Sequence, residues 1–277
     1  MRYVALPDGE QVPALGIGTW HMGDQRRERA REVAAVRHAL ALGYQLIDTA
    51  EMYGDGEAER IVGEAIAGYR DECFLVSKVF PHNASQAGVV RHCEASLQRL
   101  GTDHLDLYLL HWRGGASLEA AVAGFTELQQ AGKIRHWGVS NFDAADMEDL
   151  LAVPGGQQVA TNQVLYHLDE RGPEWELLPW LRSHGIPVMA YSPFGQGDLL
   201  RQHGLVQFAD RHGMTPAQAA LAWVLGRDDA IAIPKSRTPE RLQENLAAAD
   251  IELTAKQYAE LDELFAPPNG REPLRVI

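Results

Sequence analysis

Four side chains of this sequence can together move a proton: Asp48, Tyr53, Lys78 and His111. A tyrosine hydroxyl ordinarily titrates near 10, too high for a well-matched acid at neutral pH. A neighbouring ammonium favours the tyrosinate and lowers that value, and a carboxylate beside the ammonium keeps it charged and oriented. A histidine on the far side can hydrogen-bond an oxygen and hold it against the tyrosine. Such a set suits proton transfer to a carbonyl oxygen, without a metal. Taken singly, each residue has an ordinary reading: Asp48 as a cap, Tyr53 as a loop aromatic, Lys78 as the polar end of a strand, His111 as a satisfied core histidine. The chemistry depends on the elements that bring them together.

Asp48, Lys78 and His111 each end a short apolar run, QLID (45–48), CFLVSK (73–78) and LDLYLLH (105–111), and Tyr53 follows the first of these. Five further runs are of the same kind: ALGIG (14–18), HWGVSN (136–141), ATNQV (160–164), PVMAYS (187–192) and AIAIP (230–234). Between them lie segments of helical period, such as 29–43 with Val33, Val36 and Leu40, and 85–101 with Val89, Cys93, Leu97 and Leu100. Gly43 and Gly101 stand where helices stop. Eight βα alternations predict an α/β fold, the (β/α)8 TIM barrel, in which chemistry gathers at the C-terminal ends of the strands. YVALPDGEQVPALG predicts an N-terminal β-hairpin turning at Asp8-Gly9, and 238–249 and 254–265 predict extra C-terminal helices. A doubly wound sheet is the structural rival, but its GxGxxG is absent: the first run continues Gly16-Ile17-Gly18-Thr19-Trp20-His21. No linker or change of composition divides the chain, so residues 1–277 read as a single barrel domain.

The length of 277 residues is close to the roughly 250 typical of such a barrel. A net charge of −13 argues against nucleic-acid or anionic-membrane partners. No apolar run approaches a membrane span, and the N-terminus has no secretory h-region, so a cytoplasmic protein is expected. Cys73 and Cys93 lie in apolar segments without CxxC spacing and read as a reduced pair. The histidines are scattered, with no HExxH, and no metal site is expected. Locally, Lys235, Ser236, Arg237 and Arg241 make a basic cluster after the eighth run, where barrels commonly bind phosphate; on charge alone a solvated helix start reads equally well. Ser140, Asn141 and Gln163 offer amide and hydroxyl groups, and Tyr191 a flat aromatic face. Trp20, Phe80 and Trp112 follow strands, and Met52 precedes Tyr53, either as plain packing under the loops or as apolar walls at the barrel mouth. Arg113 and His21 read equally as attractors of a carboxylate or as plain surface groups.

The motifs GIGTW, LIDTAEMYGDGEAERIVGEAI, LDLYLLHW, GKIRHWGVSNF, TNQVLYH, AYSPFGQG and IPKSRTPERLQEN follow one another along nearly the whole chain, which resembles the aldo-keto reductases. The likeness is strongest to the small bacterial methylglyoxal and diketogluconate reductases. The resemblance implies a catalytic tetrad of Asp48, Tyr53, Lys78 and His111, with Tyr53 the proton donor. It implies NADP(H) as cofactor, with Gly18, Thr19, Trp20, Asp48, Ser140, Asn141, Gln163 and Tyr191 near the nicotinamide half. Ser192, Phe194 and Gln196 would lie in a loop over the pyrophosphate, whose glycines admit backbone N–H groups to phosphate oxygens. Lys235, Ser236 and Arg241, reinforced by Arg237, would take a 2′-phosphate, and Glu244 and Asn245 the adenine. Trp20, Met52, Tyr53, Phe80, His111 and Trp112 would wall a pocket for a small aldehyde, α-dicarbonyl or sugar ketone. Family habit implies a monomer. The alternative is a cofactor-binding regulatory or redox-sensing subunit with little turnover. A lyase using Lys78 as a Schiff-base nucleophile is weaker, because Asp48 would keep that amine charged.

Overall fold

Residues 6–10 turn the chain back on itself, with the Leu6 N–H bonded to Glu10 O at 2.8 Å and the Gly9 N–H to Leu6 O at 2.9 Å. Gly9 takes φ +94°, open to a residue without Cβ. The turn joins strands β1 (Tyr3–Ala5) and β2 (Gln11–Pro13) into the expected antiparallel hairpin. This computed structural model describes residues 2–277.

Among the described residues, eight strands then form one parallel sheet: β3 (Gly16–Gly18), β4 (Leu46–Asp48), β5 (Phe74–Val79), β6 (Leu105–Leu110), β7 (Ile134–Ser140), β8 (Asn162–Leu165), β9 (Val188–Tyr191) and β10 (Ala230–Ile233). Neighbours follow chain order, as right-handed βα crossovers dictate. The sheet closes through the Leu15–Ala232 bridge, the Ala232 N–H to Ala14 O bond at 2.8 Å and the Gly18 N–H to Pro234 O bond at 3.0 Å. The fold is a (β/α)8 barrel. β5 and β6 are buried along all their length, because side chains fill the inside and helices cover the outside.

Two glycines let β3 lie close to its neighbours. A Cβ on Gly16 would sit 2.2 Å from Leu46 Cδ2 of β4, and one on Gly18 would sit 2.8 Å from the Ile233 carbonyl oxygen of β10. A larger residue at Gly18 pushes β10 away at the seam where the sheet closes.

The outer layer is α1 (Arg29–Ala41), α2 (Glu57–Ile66), α3 (Gln86–Leu100), α4 (Leu118–Gln130), α5 (Ala144–Ala152), α6 (Leu177–Ser183), α7 (His203–Arg211), α8 (Pro216–Leu225), α9 (Pro239–Ala247) and α10 (Ala255–Leu264). In α1 the apolar stripe buries Val33 and Val36, and past its end Gly43 takes φ +98°. Ser85 caps α3 by accepting the Gly88 N–H, and Gly101 ends it at φ +65°. Two helices, α7 and α8, make the crossover from β9 to β10. The expected C-terminal helices are α9 and α10. Among the described residues no helix is long and apolar enough to cross a membrane.

The hairpin packs against the N-terminal end of the barrel. Val4 and Val12 are buried, and Glu10 accepts from Arg135 at 2.6 Å and pairs with His136 at 2.7 Å, both at the start of β7. That leaves the C-terminal end open for a site. Gly18→Ala is expected to lower the unfolding free energy by about 1–3 kcal/mol in urea titrations, as overpacking does. Gly115→Ala, where a Cβ meets open space, is the control and should leave it unchanged.

Candidate active site

Parallel pairing sets Asp48 opposite Val76 and Lys78 opposite Leu109, so the ends of β4, β5 and β6 come level at one rim. Lys78 is fully buried, and its ammonium donates to Asp48 Oδ2 at 2.7 Å, Thr49 O at 2.9 Å and the Tyr53 hydroxyl at 3.2 Å. Three donors meet three acceptors, which is the condition for burying such a charge. Tyr53 arrives because residues 49–51 run along β5 and the chain then turns over residues 50–53. The Thr49 N–H bonds Val76 O at 2.9 Å, and the Tyr53 N–H bonds Ala50 O at 3.1 Å. Gly54, Asp55 and Gly56 then take positive φ in succession and turn the chain into α2. His111, the first residue after β6, stands edge-on to the Tyr53 ring with centroids 5.8 Å apart. The structure thus brings Asp48, Tyr53, Lys78 and His111 together.

Their electrostatics differ from the sequence expectation at one point. The Tyr53 hydroxyl is not lowered by its ammonium neighbour: burial, and then the Asp48 charge, push it well above 10. Lys78 is already matched by Asp48, so the hydroxyl sees a nearly neutral pair and stays protonated. Burial lowers Lys78, while Asp48 opposes that shift. Burial, with Lys78 second, pushes His111 well below 6.5, so its ring is neutral. His111 Nδ1 is buried with no hydrogen-bond partner among the described residues, which leaves Nε2 to act on a ligand.

Asp48, Tyr53 and His111 face a cavity of about 1240 Å³ at the open end of the barrel. Trp20, Met52 and Trp112 line it beside Tyr53 and His111, with Gly18 and Asp48 at its floor. A second stretch of wall is a polar network. Ser140 Oγ donates to Gln163 O at 2.8 Å, the Tyr191 hydroxyl to Asn141 Oδ1 at 2.9 Å, Asn141 Nδ2 to His111 O at 3.2 Å, and Gln163 Nε2 to Asp48 Oδ1 at 2.8 Å. Beyond it lie Ser192, Phe194 and Gln196, then Lys235, Ser236, Arg241, Glu244 and Asn245. Among the described residues neither Lys235 nor Arg241 forms an ion pair. Burial, with Arg237 second, lowers the Lys235 amine. A half-buried cation without a counter-ion is a site fit for an anion.

Four expected residues do not line this cavity. Thr19 is fully buried, its hydroxyl donating to Asp48 O at 2.9 Å, and Lys78 acts only through Asp48 and Tyr53. Phe80 packs edge-on against Trp112, centroids 5.6 Å apart, and backs the wall. Arg237 pairs with Glu32 at 3.0 Å. In the loop at 192–198 the Gly195, Gly197 and Asp198 N–H groups bond Ser192 O, Phe194 O and Gly195 O, at 2.8, 2.8 and 3.1 Å. Arg113 is held by Asp146 and Asp149 at 2.5 and 2.8 Å, and His21 by Asp24 at 2.7 Å. Val276, Ile277, Pro216 and Ala217 line the cavity unannounced, since nothing chemical in their types marks them.

The aldo/keto reductase family model matches residues 14–266. The chain is 50% identical over 272 residues to the methylglyoxal reductase YeaE of Escherichia coli strain K12, covering 96% of this chain and 95% of that protein. It is 34% identical to the methylglyoxal reductase DkgB of Escherichia coli O157:H7, over 95% of this chain and 98% of that protein. An aldo-keto reductase from Klebsiella pneumoniae, solved in complex with NADPH, superposes with a TM-score of 0.96 at 47% identity, over 100% of this chain and 99% of that one.

Two buried histidines make folding sensitive to acid. Burial pushes His167 down to about 4, and His111 is shifted the same way. Below the usual histidine value the unfolded chain takes protons that the folded chain refuses, so stability is lost as pH falls from about 6.5 toward 4, by roughly 1.4 kcal/mol per pH unit per group. His167→Gln should flatten this slope relative to the native chain in urea titrations at pH 7, 6 and 5. Parallel curves for the two proteins would refute it.

Proposed function

The chain belongs to the aldo/keto reductase family, and from that premise we propose that it reduces small aldehydes, α-dicarbonyls such as methylglyoxal, or sugar ketones to alcohols, with Tyr53 as proton donor. As a family member it is an oxidoreductase using NADP(H). The observation that carries the proposal is the hydrogen-bonded chain from Asp48 through Lys78 to Tyr53, with His111 facing the same cavity.

The residues present fit the cofactor. Ser140, Asn141 and Gln163 would hold the carboxamide, and Tyr191 would stack on the ring. Lys235 and Arg241, cations without partners, would take the 2′-phosphate, with Ser236 beside them, while Glu244 and Asn245 would bind the adenine. When bound, NADPH supplies the hydride. Tyr53 then hands its proton to the carbonyl oxygen as negative charge builds there, the protonated state that burial enforces. Lys78 stabilises the charge left on the phenol oxygen, and Asp48 keeps Lys78 ionised and aimed. Neutral His111 donates through Nε2 and fixes the carbonyl oxygen against the tyrosine. Trp20, Met52 and Trp112 exclude water around the reacting carbon. Phe80 would shape this pocket from behind, and Arg237 would orient Lys235 through charge rather than touch phosphate.

A small uncharged substrate suits this wall, because Arg113 and His21 at the mouth are already engaged by carboxylates. On this proposal the chain is a single barrel domain, residues 1–277, working as a monomer. The sensor alternative has no feature of its own in its favour.

The test is loss of NADPH absorbance on mixing protein, NADPH and methylglyoxal, beside a panel of aldehydes and sugar ketones. Tyr53→Phe is expected to lower turnover by at least about 100-fold while NADPH still binds, and retained rates would sink the proton-donor assignment. Lys235→Ala and Arg241→Ala should each weaken NADPH binding by roughly 10- to 100-fold and leave NADH binding unchanged. Equal effects on the two cofactors would remove the 2′-phosphate placement.

A further inference from the structure

Glu51 is a buried carboxylate that the chemistry above does not use. It lies between Asp48 and Tyr53, in the segment that carries the tyrosine. Its Oε1 accepts the Phe80 N–H at 2.8 Å and Asn83 Nδ2 at 3.1 Å. Its Oε2 lies 2.7 Å from His92 Nδ1. A carboxylate only accepts, so His92 Nδ1 carries the hydrogen. One side chain therefore binds three pieces of the barrel rim: the residue that leaves β5, the short loop after it, and the outer helix α3.

The placement matters because of what each piece supports. Phe80 lies edge-on to Trp112 and tilted to His111, with centroids 5.6 and 6.3 Å away. The Glu51 backbone N–H reaches Lys78 O at 3.4 Å. On one side of Glu51, then, stands the aromatic group backing His111, and two residues along the chain stands Tyr53. The polar bonds of this single carboxylate link the segment that carries the tyrosine to the aromatic group that backs the histidine. The Lys78 bond holds the hydroxyl end of Tyr53, while His111 meets Tyr53 only edge to ring.

We propose that Glu51 is a positioning residue: with His92, Asn83 and the Phe80 amide as its partners, it holds the Tyr53 segment at the distance from His111 that proton transfer requires. The proposal rests on Tyr53 as the proton donor. It extends that reading to a residue outside the cavity wall.

The experiment compares Glu51→Ala, Glu51→Gln and His92→Ala with the native chain. Glu51→Ala should lower kcat by roughly 10- to 100-fold, the cost of a misplacement of about 1 Å, with the NADPH dissociation constant unchanged. The kinetic isotope effect with NADPH deuterated at the transferred position should rise, because a misaligned proton donor slows the chemical step. A purely structural role would lower the melting temperature without moving either quantity. Glu51→Gln keeps an oxygen for Phe80 and Asn83 and should restore most of the rate. His92→Ala removes one partner from a partly exposed site and should lower kcat less, which keeps the test open if Glu51→Ala does not fold. Hydrogen exchange reads the brace without turnover: in Glu51→Ala the amides of residues 49–56 and of Phe80 should exchange faster. A protein inactive toward every carbonyl tried would count against the functional reading, and the exchange result would still decide the brace. Native kcat and native exchange in folded Glu51→Ala would overturn it.

Discussion

The constraint on which the site depends is the burial of the Lys78 ammonium. A charge with no exposure to water must be surrounded by oxygen atoms, and here they come from a strand end, a backbone carbonyl and a phenol. To supply the last two, residues 49–51 have to lie along β5, turn at 50–53 and then pass through three positive-φ residues. Folding and chemistry thus ask for the same geometry. A chain that misplaced Tyr53 would also leave a buried cation short of a partner, which costs several kcal/mol. Gly18 serves the same end, because the barrel that sets β4, β5 and β6 side by side needs β3 and β10 to close the sheet.

Along the cavity, charge is arranged in two ways. At the β4–β6 end it is compensated: Asp48 answers Lys78, Tyr53 is protonated and His111 is neutral. At the β10 end Lys235 and Arg241 have no carboxylate partner among the described residues. In the proposed function a dinucleotide phosphate would supply the missing charge at one end, and a carbonyl would meet a wall without net charge at the other. The protein's net charge of −13 gives no hint of this local contrast.

Much of this was legible in the sequence where a residue's type and its strand position carried the same message. Asp48, Lys78 and His111 end apolar runs, so counting runs placed them on one rim, and the eight runs became the eight barrel strands. What stayed hidden depended on partners far along the chain. Arg237 looks like its neighbours in a basic cluster, yet it is bound to Glu32, which no local pattern announces. Phe80 follows a strand like Trp112 but lies behind the wall, since the turn at Phe80–Asn83 aims the ring sideways toward Trp112. The direction of the Tyr53 shift was out of reach too. It turns on how deeply the hydroxyl is buried and how closely Lys78 is already paired. The glycines of 192–198 were visible, but not that the amides of Gly195 and Gly197 bond within the loop's own turns.

The non-glycine residues with positive φ, among those described, are His21, Asp55, Asn141, Ser192 and Gln196, and all of them lie in loops that leave the C-terminal ends of strands. Such conformations store roughly 1–3 kcal/mol each. The hairpin end of the barrel carries none of it. Mutation and selection therefore meet two different materials in one molecule. The closed end is relaxed, and drift there is filtered by packing and by the Glu10 bonds to Arg135 and His136. The open end is held under tension, so a substitution that eases a loop also reshapes the cavity, except at Asp55, which stands outside it. A lineage seeking heat tolerance has most freedom at the closed end, and one seeking a new substrate would begin with strain already in place to be released.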